Sequence, residues 1–273
     1  VVRRRMLAKQ LKLLREQAGL TLEEAAPQLD FSVSRLSRIE NAQVRIDVHW
    51  VRGMLDLYDV GGDRWTELVE LARESNQPGW WKAYGLGDTS YVAFETEATR
   101  VQIFGLGYVT GLLQTADYAR ALMVAVPVER TAEQLDNEVA ARVYRQQRLT
   151  SADNSLELVT VIDESALHRT VGGPDVLRAQ LEHLARLAGL DTVTLHVLPA
   201  SAGAHAGLAS GFTILSFADL GEPEMAYVEH SLGSMILDKA GDVARAKVAF
   251  ERVLSAALDP TESLSLVRRL AGG

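Results

Sequence analysis

A chain of 273 residues has room for two domains, and its 47% hydrophobic and 23% charged side chains are those of an ordinary globular protein. No run approaches the roughly 20 uncharged apolar residues that a membrane span needs, so a membrane partner is excluded from the reading. With no cysteine, disulfides, thiolate metal sites and cysteine nucleophiles are excluded too, and a cytoplasmic location is expected. The formal net charge of −8 argues against nucleic acid only until it is divided along the chain. Residues 1–52 hold ten basic side chains against six acidic ones, a net +4, and the remainder holds 18 basic and 30 acidic. A basic head on an acidic body suits phosphate contact by one end alone. The opening Val1-Val2-Arg3-Arg4-Arg5 has no apolar stretch behind it and does not read as a secretory signal.

In chain order, Leu7, Leu11, Leu14 and Ala18 fall at steps of four, three and four, which predicts a helix over 3–18 that Gly19 stops. Thr21 with Glu24 three residues on is a capping box, opening a second helix that buries Leu22, Ala25, Ala26 and Leu29. After an Asp30-Phe31 turn, Ser32 caps a third helix over 33–40, with Leu36 and Ile39 inward. A fourth helix runs from Asp47 or Val48 to Tyr58. A fifth, from 63 to 76, lays Trp65, Leu68, Val69 and Ala72 on one face. Gln77-Pro78-Gly79 then marks a boundary between a domain over 1–76 and a second over 77–273.

The second part is mixed. Tyr91 to Val109 reads as strand or irregular chain, and 115–125 and 131–149 read as helices. Strands are expected over 156–162, 193–198, 211–217 and 225–229, with 234–237 beside them. Helices are expected over 174–188, where Pro174 sits at an early position that needs no N–H, and over 242–258 and 260–270. The fold class is therefore a mainly α bundle of five helices followed by an α+β domain, whose strand order the pattern does not supply.

The segments Leu14 to Ala26 and Ser32 to Asn41 closely resemble the phage-repressor-like (Xre/Cro) helix-turn-helix family. The match is carried by small Ala26, by Thr21 as a cap, and by the ending Ser37-Arg38-Ile39-Glu40-Asn41. The resemblance implies that the third helix enters the major groove of double-stranded DNA by its N-terminus. It places Val33, Ser34 and Arg38 toward the bases, with Ser37 near the groove wall. Arg38 would donate to guanine O6 and N7, and Val33 would offer methyls to a thymine. Phosphate contacts are expected from Thr21, Leu22, Ser32, Arg35 and Asn41, partly because helix N-termini favour anions. Arg15 and Glu40 are expected to form a structural ion pair between the first and third helices. Three departures stand out: Pro27 inside the second helix, and Asp30 and Ala42 where glycine is common at the turns.

The remainder resembles the C-terminal domain of actinobacterial regulators of the WhiJ type, an antitoxin-like family. The matching stretches include Gly79-Trp80-Trp81, Glu95-Thr96-Glu97-Ala98, Gly111 to Arg120, Asp163 to Leu167 and Gly203 to Gly207. The family's usual proline before Gly111 is Thr110 here. The resemblance implies a regulator of development or antibiotic production, often paired with a small partner protein encoded nearby.

No catalytic, cofactor or metal site is expected. The histidines, His49, His168, His183, His196, His205 and His230, lack metal-ligand spacing, and no nucleophile elbow, Walker lysine or Rossmann glycine pattern occurs. Gly203-Ala204-His205-Ala206-Gly207 could position a base in a loop. Gly111 to Thr115 is read as a buried turn leading into a capped helix, with a ligand loop as its alternative. Trp80, Trp81 and Tyr84 form either an aromatic platform or a plug between the domains. The functional expectation is a sequence-specific transcriptional regulator, a homodimer whose second domain dimerises, binds a partner or senses a small-molecule ligand. Its alternative is an antitoxin-like interaction protein that autoregulates its own operon.

Overall fold

The computed structural model describes residues 1–87, 91–218, 222–230 and 233–272. Two compact units divide the chain at 82/83. The fifth helix ends at Asn76, and residues 77–82 belong to the first unit.

The first unit is all helical: α1 (Val2–Gln17), α2 (Leu22–Gln28), α3 (Val33–Glu40), α4 (Val48–Leu57) and α5 (Gly62–Asn76). Three of the five starts carry a side-chain cap. Thr21, Ser32 and Asp47 accept backbone N–H bonds from Glu24, Arg35 and His49, which satisfies donors that a helix N-terminus leaves unpaired. The ends have local causes as well. Gly19, Asp30, Ala42 and Asp59 take the left-handed conformation at φ +72, +53, +56 and +57. One core unites the bundle: Leu7 and Leu11 of α1, Ala25 and Ala26 of α2, Leu36 and Ile39 of α3, Val51, Met54 and Leu55 of α4, and Leu68, Val69 and Ala72 of α5. Ala26 is fully buried, so α2 and α3 approach closely there. Pro27 lies in the last turn of α2, where its missing N–H leaves the Glu23 carbonyl without an intrahelical partner.

The second unit is built on a six-stranded mixed sheet of β1 (Arg100–Gly105), β2 (Glu157–Asp163), β3 (Val193–Leu198), β4 (Phe212–Phe217), β5 (Glu222–His230) and β6 (Gly233–Leu237), in the spatial order β3-β2-β1-β4-β5-β6. β1, β2 and β3 run parallel, and β4, β5 and β6 continue antiparallel. The parallel strands are joined by helical crossovers, as parallel pairing requires. α7 (Ala116–Ala125) and α8 (Ala132–Arg145) lie between β1 and β2, and α9 (Glu164–His168) and α10 (Pro174–Leu187) between β2 and β3. α11 (Ala240–Ala256) and α12 (Pro260–Gly272) close the chain. β2 is buried from Leu158 to Ile162, so its continuous Leu-Val-Thr-Val-Ile run reflects a strand covered on both faces. Phe250 and Val253 of α11 pack with Phe104, Val159, Val161 and Ile214 on one face.

Two expectations change. Tyr91 to Val109 is not one element: Tyr91–Glu95 is a helix, α6, and only Arg100–Gly105 is a strand. The aromatic and β-branched composition of 91–95 reports burial, because Val92, Ala93, Phe94 and Glu95 are all buried. The helix expected over 131–149 ends at Arg145 and tightens into a 3-10 turn over Gln146–Leu149.

Candidate nucleic-acid interface

The α2–turn–α3 unit is held by a buried ion pair. Arg15 Nε donates to Glu40 Oε1 at 2.7 Å and Nη2 to Oε2 at 2.9 Å, a bidentate fork from α1 to the last residue of α3. Nη1 donates to the carbonyl of Leu20 at 2.6 Å, which fixes the chain just before α2. Arg15 is 5% exposed and Glu40 7%. The hydrogen bond to Glu40 raises the Arg15 pKa above the ordinary arginine value, and burial works against it. Tyr58 lies in the same region, its hydroxyl driven upward first by burial and then by the Glu40 charge.

With Leu36, Ile39 and Glu40 turned inward, the opposite face of α3 is open: Val33, Ser34, Arg35 and Arg38 are exposed and Ser37 is half-buried. Val33 is 37% exposed, a large aliphatic residue at the surface near the helix start. Arg38 makes no ion pair among the described residues; its one hydrogen bond is a long contact of Nε with the Ser34 carbonyl at 3.4 Å. The guanidinium thus keeps donors for another acceptor. Ser32 accepts the Arg35 N–H through Oγ, so its hydroxyl proton is still available as a donor.

Three of the residues expected to meet phosphates are engaged within the protein. Thr21 uses both its N–H and its hydroxyl on Glu24 Oε2, at 2.8 and 2.9 Å, and accepts the Glu24 N–H in return. A phosphate role for Thr21 would require Glu24 to let go, and Glu23 and Glu24 already set two negative charges in the first turn of α2. Of that pair of residues, Leu22 alone keeps a backbone N–H for the purpose. Arg35 stacks its guanidinium on the Phe31 ring at 4.1 Å, with Trp50 at 5.3 Å, on a ring pair 4.7 Å apart. That stacking leaves the guanidinium edge exposed and gives the side chain a fixed direction. The Phe31-Trp50 platform is a feature that periodicity does not reveal, since Phe31 reads as a turn residue and Trp50 as a helix residue. Asn41 folds its amide back onto the Ser37 carbonyl at 2.8 Å.

Residues singled out in the second unit have local partners. Gln114, fully buried, donates to the Val109 carbonyl and accepts from Arg142. Gln180 holds the Leu113 carbonyl and the Thr115 N–H, and Thr115 caps α7. Gly111 to Thr115 is therefore a buried, bonded turn. His205 Nε2 lies 3.6 Å from Asp163 Oδ2, and Ser165 Oγ donates to Asp163 Oδ1. Hydroxyl and imidazole both face the carboxylate rather than each other, which is not a nucleophile–base geometry. In the first unit Trp80 and Trp81 meet edge-on at 6.3 Å.

A family model described as a domain of unknown function (DUF5753) matches residues 89–269. The chain belongs to that family. A second model, described as a helix-turn-helix domain, matches residues 6–68, spanning α1 to the first half of α5. A helix-turn-helix domain at this position is the mark of a DNA-binding regulator. No curated protein and no solved structure matches the chain. Among the described residues no helix is long and apolar enough to cross a membrane.

Proposed function

We propose that this DUF5753 protein is a sequence-specific transcriptional regulator of the Xre/Cro type that reads the major groove with α3. The observation that carries the reading is Arg38, exposed on the outward face of α3 with no ion-pair partner among the described residues. Val33, Ser34 and Ser37 share that face and complete a small apolar and hydrogen-bonding surface. Arg35, aimed by Phe31 and Trp50, and Ser32, with a hydroxyl proton to donate, serve the backbone of the duplex. Leu22 contributes a backbone N–H, and Asn41 and Thr21 contribute only after exchanging their internal partners. The protein acts in the cytoplasm as a homodimer on an inverted repeat with half-sites about 10 bp apart, and carries no enzymatic activity. Its setting is the control of development or secondary metabolism, as in the actinobacterial regulators that its second domain resembles.

Genomic affinity selection with the purified protein at physiological salt tests the reading. An enriched inverted repeat, lost on Arg38→Ala, is the expected result. Salt-sensitive binding without sequence preference would overturn it.

One observation favours a second reading, in which the body of the protein holds a small partner protein in an antitoxin-like arrangement. Val124, Val126 and Val128, at 67%, 49% and 55% exposed, form an apolar stretch from the last turn of α7 into the loop before α8, of the kind that protein contacts use. Under that reading a stoichiometric small protein co-purifies from the native host and is lost on Val126→Asp, while DNA binding persists.

A further inference from the structure

The second unit contains a cavity of about 580 Å³, within the range of small-molecule sites. It lies over the sheet face that carries Ile103, Thr213 and Tyr227, opposite the face covered by Phe250. Three rings line it: Tyr91 and Tyr227 meet at 4.7 Å between centroids, and Tyr108 stands with them. Two guanidiniums from successive turns of α8 enter this apolar setting, with unequal partners. Arg145 is neutralised by Glu95 through two bonds of 2.6 and 2.5 Å. Arg142 has no carboxylate partner among the described residues; its one hydrogen bond is from Nη1 to the neutral Gln114 amide at 2.8 Å. Burial, and then repulsion from Arg145, press the Arg142 pKa below the ordinary arginine value. Arg142 is half-buried, and a bound anion would give its guanidinium the charged partner that Gln114 is not. Glu229, an exposed wall residue, attracts Arg142 but forms no ion pair with it among the described residues.

Thr110 supplies an independent observation. It is 3% exposed, it lines the cavity, and its Oγ1 has no hydrogen-bond partner. A buried hydroxyl without a partner is uncommon in a protein interior. It stands next in sequence to Gly111, whose Cα hydrogens face the Arg142 side chain so closely that a Cβ there would meet Cδ and Nη1 at 3.3 Å. The cavity lining thus brings together a guanidinium with donors to spare, a spare hydroxyl and aromatic rings.

We propose that this cavity binds a small aromatic carboxylic acid, its carboxylate on Arg142 and Thr110 and its ring against Tyr91 and Tyr227. This gives the DUF5753 domain a ligand-sensing role that does not depend on the DNA-binding reading, since the site lies wholly within the second unit.

Calorimetric titration of the full chain with 2-naphthoate, in the absence of DNA, tests it, with 2-naphthamide as a neutral probe of the same shape. Saturable 1:1 binding of the acid is expected, with the amide weaker by about tenfold because it offers no charge to the guanidinium. Arg142→Met should weaken the acid by about tenfold and bring acid and amide to similar affinity. Thr110→Val, which keeps volume and removes only the hydroxyl function, should weaken the acid severalfold with unchanged circular dichroism. No saturable binding up to about 5 mM, equal affinity for acid and amide in the unaltered protein, or undiminished binding by both variants would each overturn the proposal.

Discussion

Arg15 and Glu40, 25 residues apart, lock α1 to the end of α3 with two parallel hydrogen bonds inside the helical core. The pair is nearly inaccessible to solvent, and a third bond from Arg15 to the Leu20 carbonyl links it to the start of the helix-turn-helix. A pair of this kind carries a desolvation cost that only complete bonding offsets, so each partner depends on the other. It also sets which face of α3 points outward. Arg15→Ala should lower the stability of the first unit by about 3–5 kcal/mol, because Glu40 is left charged and buried. Replacing both residues, as Arg15→Met with Glu40→Leu, should cost much less. Calorimetric melting of the full chain checks both, and an unshifted transition in Arg15→Ala would show that water reaches Glu40.

Arg38→Ala tests contact rather than folding. The side chain is exposed and holds little beyond a long bond to Ser34, so melting should be unchanged. Affinity for the selected operator should fall by about 1–3 kcal/mol, with one base position relaxed. Unchanged affinity in a fluorescence-anisotropy titration would mean that α3 meets the groove in a different register.

Ala42 sits at φ +56 just after α3, where a Cβ costs about 1–2 kcal/mol. Ala42→Gly removes that cost and adds unfolded-chain entropy, for a net gain of about 0.5–1 kcal/mol. Asp30→Gly, at φ +53, should gain less because aspartate tolerates this conformation. Denaturant midpoints rank the two, and a loss of stability in Ala42→Gly would contradict the strain argument.

Glu24 gives the first unit a dependence on pH. The Thr21 N–H, and then its hydroxyl, hold the Glu24 carboxylate below the ordinary glutamate value. A depressed folded-state pKa stabilises the protein above the unfolded-state value, and that contribution is lost as pH falls through the folded one. Stability measured downward from pH 6 should therefore decline less steeply in Glu24→Gln than in the unaltered protein. Parallel profiles would show that the carboxylate gains nothing from the cap.

Much of the first unit is legible in the chain because its determinants are local. Thr21, Ser32 and Asp47 cap helices whose first residues follow directly, and the steps of Leu7 and Leu11 or Leu36 and Ile39 mark the inward faces without knowledge of neighbours. The outward position of Val33, Ser34 and Arg38 follows from the same period. Their engagement with DNA rests on the resemblance and awaits experiment.

What the tertiary structure alone decided are relationships between distant residues. Composition reads 91–95 as strand or irregular chain, yet the segment is a short buried helix whose Glu95 pairs with Arg145 across 50 residues. Strand order is invisible in one-dimensional pattern: a run such as 157–163 says that both faces are covered, not that β1 and β3 are its neighbours. Thr21 reads as a phosphate donor until Glu24 is seen to hold both of its protons, and Arg35 gains its direction only from Phe31 and Trp50. The cavity is the clearest case. Thr110 and Arg142 belong to a turn and a helix 32 positions apart, and only packing brings a hydroxyl without a partner and a guanidinium without a carboxylate partner to the lining of one cavity. Local hydrogen bonding and periodicity are written residue by residue, whereas the pairing of distant side chains and the lining of a cavity exist only once the chain has folded around them.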